Sequence, residues 1–284
     1  MKKELLLVLT VLAISSLACG FTVNLPTIET GPEVTFKVDE PLSNNDQPTQ
    51  LRIEVGAASL EVQPGAKSLV SGTVTYNVKG WAPSVSRTDD SLVIKQETKG
   101  IEGFPTSSVK NKWEIKINDN SLIDLEINAG AYQGKLELGG LSLTGLRVED
   151  GASDSTVSFT RPNQVVMEKL DYHTGASNIT LKNLANANFK EMTFSGGAGN
   201  YTLDYSGELL RDAHVDVDAG VSAIKIIVPE GMNVVVQVNG EMKGVNTEGT
   251  WTVDGSKYST DGEGPMLTID VNMNLGSLEL IQDK

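Results

Sequence analysis

Cysteine is almost missing from this chain. Of 284 residues only Cys19 is one, so no disulfide can close within the chain. Basic residues are outnumbered, 23 Lys and Arg against 37 Asp and Glu, giving a formal net charge of −14. Phosphate binding needs clustered cations, so nucleic acid is excluded as a partner class, and an anionic bilayer surface attracts such a chain poorly. Histidine occurs twice, at His173 and His214, and aromatic residues make up 5%. No apolar run reaches the ~20 residues of a membrane-spanning helix. Helical periodicity is absent too, apart from a short turn expected over Leu184 to Lys190. Glycine, by contrast, is plentiful, with 28 residues. Apolar residues alternate with polar ones in period two, which points to a β-rich fold with many tight turns. The chain is long enough to bury a sizeable core.

One pattern recurs five times between residues 125 and 228: apolar, any, apolar, two residues, Gly, then Ala or Val. Leu125 and Ile127 precede Gly130, and Leu146 and Val148 precede Gly151. Leu170 and Tyr172 precede Gly175, Met192 and Phe194 precede Gly197, and Val215 and Val217 precede Gly220. The glycine spacings are 21, 24, 22 and 23 residues. A fixed period in this range marks a stacked solenoid. Each copy should give one inward-facing strand before its glycine and a second after it. The later inward pairs are Ile179/Leu181, Tyr201/Leu203 and Ile224/Ile226. In the first two copies the pairs Leu136/Leu138 and Val157/Phe159 fall two residues later, which reads as a turn insertion near Gly134 and Asp154. The Gly-small pair reads as a tight corner with positive φ.

Around the repeats, four segments follow from composition. Lys2 and Lys3, the apolar stretch Leu5 to Ile14 and then Ser16-Leu17-Ala18-Cys19-Gly20 form a signal peptide over residues 1–18. The last five residues resemble a bacterial lipobox, in which the cysteine is acylated and becomes the new N-terminus. That resemblance implies lipid attachment at Cys19, and several acyl chains on one residue anchor stably where one does not. Residues 19–48, with Pro26, Pro32, Pro41 and Pro48, read as a tether of roughly 30 Å reach as a flexible coil. Residues 49–120 alternate in period two through Leu51, Ile53 and Val55, Leu60 and Val62, Val70 to Val78, Leu92 and Ile94, and Trp113 to Ile117. Thr88 to Ser91 is the turn of a hairpin within this stretch. This is an antiparallel β cap, since the open end of a solenoid needs an atypical unit to cover it. Residues 121–284 hold the repeats and a closing C-terminal cap.

Two stretches resemble a known family. They are Leu51-Arg52-Ile53-Glu54-Val55-Gly56-Ala57-Ala58-Ser59-Leu60-Glu61-Val62, with Gly72 to Tyr76 and Pro83 to Val85, and Gly220 to Pro229 with Gly231, Val234, Val236 and Gly240. The chain is similar there to the bacterial toast-rack domain family and to related adhesin-type β-solenoid domains. The resemblance implies an all-β, single-stranded right-handed β-helix-like solenoid outside the cytoplasmic membrane, with a role in adhesion or envelope-stress sensing. It carries over no catalytic residues and no cofactor. Many relatives have transmembrane helices, whereas this chain has the lipobox-like Cys19.

The outward positions of the first strand stack into two columns. One holds Glu126, Arg147, Asp171, Thr193 and Asp216; the other holds Asn128, Glu149, His173, Ser195 and Asp218. Rungs of a parallel stack lie about 4.8 Å apart, so Arg147 should sit between Glu126 and Asp171, and His173 between Glu149 and Ser195. Glu126, Arg147, Glu149, Asp171, His173, Asp216 and Asp218 are therefore the candidate binding face, for a glycan or a cation, with an envelope protein as a further expected partner. Asp216 and Asp218 lack the loop spacing of a calcium site, so no metal is expected. Ser195, His173 and Asp171 lack a nucleophile elbow and an oxyanion loop. Gly65 to Ser68 lacks the glycines of a phosphate loop. Trp81, Trp113 and Trp251 read as cap-core residues. The expected protein is a lipid-anchored, non-catalytic solenoid that displays a surface. A polysaccharide-acting β-helix enzyme and a purely structural envelope protein are the alternatives.

Overall fold

The computed structural model describes residues 27–43, 47–99, 103, 106–240 and 244–283. The expected signal peptide and Cys19 lie outside the described residues. Six strands come first: β1 (Val34–Glu40), β2 (Thr49–Pro64), β3 (Val70–Tyr76), β4 (Pro83–Arg87), β5 (Ser91–Gln96) and β6 (Asn111–Ile117). Five long strands follow: β7 (Leu122–Glu137), β8 (Ser142–Ser158), β9 (Met167–Lys182), β10 (Phe189–Asp204) and β11 (Ala213–Pro229). The chain closes with β12 (Met232–Asn239), β13 (Val245–Glu248), β14 (Thr252–Asp254), β15 (Lys257–Ser259) and β16 (Glu263–Asp283). All belong to one continuous sheet. The only helical pieces among the described residues are short 3-10 turns at Lys79–Trp81 and Leu184–Ala187, and no helix there is long and apolar enough to cross a membrane.

The fold is a β-solenoid with one long strand per coil. Strands β2, β7, β8, β9, β10, β11 and β16 stack in parallel, in that order. The repeat's inward pairs align across the coils: Leu125, Leu146, Leu170, Met192 and Val215 form one column, and Ile127, Val148, Tyr172, Phe194 and Val217 the next. All ten are buried. The two inward strands expected per copy are one strand that bends at the glycine.

Glycine is needed there for a different reason from the expected positive φ, since none of the five repeat glycines adopts one. Close backbone approach is the reason instead. A Cβ on Gly130, Gly151, Gly197 or Gly220 would lie between 2.5 and 2.8 Å from the carbonyl oxygen of the glycine one coil below, and one on Gly175 would lie closer still to Gly151. Gly56 is the foot of this ladder, because its carbonyl oxygen is the atom that Gly130 approaches.

The expected turn insertion in the first two copies is also absent. Leu136 pairs with Val157, Val157 with Leu181, and Leu181 with Leu203, so one column runs straight through. The preceding column is Gly134, Ser155, Ile179, Tyr201 and Ile224. The early copies place small residues there rather than shifting register. The Tyr132 ring fills the space over Gly134, and the Tyr172 hydroxyl reaches Ser155 Oγ at 2.7 Å. Interior volume is thus conserved across coils although the residues that supply it change.

Each end is covered by a coil split in two. At the N-terminal end β5 pairs with the first half of β2 and β6 with the second, both in parallel. Antiparallel β4 covers β5 through the expected hairpin, and antiparallel β3 covers β6. Outermost is β1, which lies in the stretch read as tether and pairs with β3 over its whole length. Val38 is the buried anchor of β1. At the C-terminal end β12 and β13 form the split coil against β16. The strand β16 inserts between β11 and β12, so the chain builds its cap before its last coil.

A two-part candidate binding face

The outward columns form as the repeat spacing requires, because residues two apart on a strand share a face. Glu126 pairs with Arg147, Arg147 with Asp171, Asp171 with Thr193, and Thr193 with Asp216. Glu149 pairs with His173, His173 with Ser195, and Ser195 with Asp218. Both columns are longer than the repeats alone indicate. Arg52 and Glu54 of β2 extend them at one end, and Asp270 and Asn272 of β16 at the other. All seven expected face residues lie on this side of the sheet, six of them at least partly exposed, whereas Asp171 is buried.

The charges pair differently from the expected ladder. Glu126 is held by Arg52 rather than Arg147: Arg52 Nε and Nη2 donate to its Oε2 at 2.9 and 2.8 Å. Its other oxygen accepts from Asn128 Nδ2 at 2.8 Å. Burial pushes the Glu126 carboxyl up, but the hydrogen bonds from Asn128 and Arg52 outweigh it and hold the group below the usual carboxylate range. Arg147 turns along its own strand and donates from Nε to Glu149 Oε1 at 2.8 Å. That bond is the main reason its guanidinium is held above its ordinary value. Arg147 also lies 4.0 Å from Asp171, whose other oxygen is 3.0 Å from Lys169 Nζ. Beside this group, Asp124 is pushed up by burial first and by the charge of Glu126 second.

Beyond β9 the character changes. Thr193 and Ser195 are neutral, and then Asp216, Asp218 and Asp270 follow. Among the described residues no Lys or Arg pairs with any of these three. His214 alone approaches, its Nε2 lying 3.5 Å from Asp216 Oδ1 and 3.6 Å from Asp270 Oδ2. No hydrogen bond joins Ser195, His173 and Asp171 among the described residues.

Beneath the first part of the face the interior is polar. Asp150 accepts from Tyr172 Oη at 2.9 Å, from Thr174 Oγ1, and from Ser177 Oγ at 3.3 Å. Burial, and then the neighbouring Tyr132 and Asp150, push the Tyr172 phenol well above its ordinary value. Beneath the second part the equivalent positions of Asp150 and Thr174 are Gly196 and Ala219, and aromatic rings fill the space. Tyr172 stacks on Phe194 with ring centroids 5.8 Å apart, and Phe194 meets Tyr201 edge-on at 5.0 Å.

A second surface lies along the glycine bend. Ala57, Ala131, Ala152, Ala176, Ala198, Val221 and Leu275 follow the bend and form an outward row. Val221 and Leu275 are 58% and 65% exposed. At the N-terminal end this row floors an open groove of about 1040 Å³, with Trp81, Tyr132, Lys110 and Lys112 on its walls. The "Gly then Ala or Val" of the repeat was its signal in the sequence. Trp81 and Trp113 are buried, as cap-core residues should be; Trp251 is half-buried against the core and donates from Nε1 to the Glu248 carbonyl at 3.1 Å.

A family model described as the N-terminal domain of toast_rack, DUF2154, matches residues 29–168 and again residues 161–227. No curated protein matches the chain. Similar solved structures include a protein from Clostridium sporogenes ATCC 15579 assigned provisionally to cell adhesion. It is 16% identical, with a TM-score of 0.47, over 89% of this chain and 99% of that one. A protein from Parabacteroides distasonis ATCC 8503 assigned provisionally to lipid binding is 10% identical, with a TM-score of 0.38, over 91% of this chain and 100% of that one. An adhesin, also a provisional assignment, from Parabacteroides merdae ATCC 43184 is 12% identical, with a TM-score of 0.38, over 91% and 99%.

Proposed function

This chain belongs to the toast-rack family, and from that premise we propose that it is a non-catalytic display protein, tethered outside the cytoplasmic membrane through a lipid on Cys19, that offers its outward face for adhesion or envelope sensing. The observation that carries this reading is the pair of outward columns, held in register over seven coils from Arg52 to Asp270. Rigid rungs about 4.8 Å apart give a long, flat polar strip, which suits an extended glycan or a strand of an envelope protein. Binding there costs little ordering of the protein, since the sheet fixes each residue before a partner arrives. A lipid on Cys19 adds the membrane as a partner without a spanning helix.

One experiment covers both halves of the proposal. The full chain with Cys19→Ala is expected to leave the membrane fraction. The released protein, applied to glycan arrays and to immobilised envelope extract, is expected to bind and to lose binding on Arg147→Glu. Membrane retention of the Cys19→Ala chain would count against the anchor. Failure to bind either surface would count against display and in favour of a purely structural role.

A further inference from the structure

We propose that His214, Asp216 and Asp270 form a site for a divalent transition-metal ion of the zinc type. The three side chains come from adjacent strands of the last full coils. His214 and Asp216 are two residues apart on β11 and so share its outer face. Asp270 on β16 pairs directly with Asp216 across the sheet. The inward neighbours Val215, Val217, Ile269 and Val271 are fully buried, which fixes the backbone under all three.

The spacing is that of metal ligands and not of a hydrogen bond. A ring N–H donating to a carboxylate sits about 2.9 Å away. Here Nε2 stands 3.5 and 3.6 Å from the two oxygens. Ligands bonded to a tetrahedral zinc at about 2.1 Å lie about 3.4 Å from one another, close to these separations. One oxygen of each aspartate and the ring nitrogen all lie within 4.8 Å of one another. Among the described residues none of the three side chains accepts or donates a hydrogen bond elsewhere.

The charge calls for a cation as well. Asp216 and Asp270 are like charges directly opposite each other, an arrangement that costs stability in a sheet. Thr193 lies on the far side of Asp216, Gln237 on the far side of Asp270, and Glu191 and Thr268 flank His214. None of these is basic. One imidazole nitrogen with two carboxylates suits Zn²⁺ and disfavours Ca²⁺ and Mg²⁺, which take all-oxygen shells. The remaining coordination position faces solvent, since the side chains of His214 and Asp216 are 46% and 48% exposed.

The test uses the untagged full chain, stripped with a chelator and titrated with Zn²⁺ alone by calorimetry and equilibrium dialysis. The expected result is a single Zn²⁺ per chain, with affinity weakened at least about tenfold in His214→Ala and in Asp270→Asn. The variants change different strands, so a folding defect in one does not decide the outcome. Glu168→Gln, on an exposed pair away from the cluster, should bind as the wild type does. Zn²⁺ should raise the Tm of the wild type by more than that of either cluster variant at the same concentration. Absence of binding to the wild type at millimolar Zn²⁺ would overturn the site, as would unaltered binding in both variants. Preference for Ca²⁺ over Zn²⁺ would overturn the ligand assignment.

Discussion

Between β2 and β9 every carboxylate of the two outward columns has a cationic neighbour. Arg52 serves Glu54 and Glu126, Arg147 serves Glu149 and Asp171, and Lys169 serves Asp171 again. From β10 to β16 the same columns hold Asp216, Asp218 and Asp270, and among the described residues His214 alone approaches, near Asp216 and Asp270. The two columns stay in one parallel register through both regions. The difference therefore resides in the residues placed on the scaffold and not in the scaffold. A neutralised region contributes a stable, even surface, whereas an acidic region retains a field that a cation can satisfy. The interior follows the same division. Asp150 and its hydroxyl partners lie under the first region, and the aromatic contacts of Phe194 with Tyr172 and Tyr201 lead into the second.

Breaking the stack within the neutralised region, next to its boundary, should have the largest effect. Gly175 sits in β9, where the neutralised part ends. A Cβ there would run into the Gly151 carbonyl, which is backbone and cannot swing aside. Gly175→Ala is expected to cost about 3 kcal/mol or more in urea unfolding. Protection from hydrogen exchange should fall on both sides of the break together. A variant with unchanged stability would remove the close-approach explanation of the glycine ladder.

The interior contrast is sharpened by a pair of tyrosine substitutions. Tyr172→Phe removes the hydroxyl that donates to buried Asp150 and is expected to cost about 1–3 kcal/mol. Tyr201→Phe should be close to neutral, because the Tyr201 hydroxyl is buried without a hydrogen-bond partner. Equal losses at the two sites in thermal melts would show that the polar cluster contributes nothing beyond packing.

Sequence periodicity places the inward pairs and both outward columns correctly, because period-two alternation before a fixed glycine leaves one register. The features it misplaces have physical reasons. Gly134 and Ser155 break the apolar count after the glycine, since Tyr132 and Tyr172 fill their space from other positions, and the break imitates an insertion. The repeat motif also stops short of two coils. Gly56 belongs to the ladder, but β2 is separated from its stacking partner β7 by the whole cap. At the other end β16 carries Asn274 at the ladder position, between Met273 and Leu275, which pair with Ala219 and Val221. With no glycine to mark it, nothing in the sequence sets Asp270 beside Asp216, and the His214 cluster is invisible until the strands are paired. The apolar row from Ala57 to Leu275 shows in the repeat but reads there as corner chemistry rather than as surface.

The smallest expected effects separate the two regions most cleanly. Glu126→Gln and Asp270→Asn make the same chemical change in the same column, one in each region. Stability is measured by urea titration in metal-free, mildly alkaline buffer. Glu126→Gln should lose about 0.5–1 kcal/mol, since it discards a carboxylate held by Arg52 and Asn128. Because folding lowers the proton affinity of Glu126, this contribution is present above the ordinary carboxylate range. It fades as pH falls through the depressed folded value, so the two proteins should converge in acid. Asp270→Asn should instead gain about 0.5 kcal/mol, by relieving its repulsion with Asp216. Opposite signs are the result expected of one scaffold carrying a neutralised and an acidic surface. Losses of the same size at both positions would contradict it.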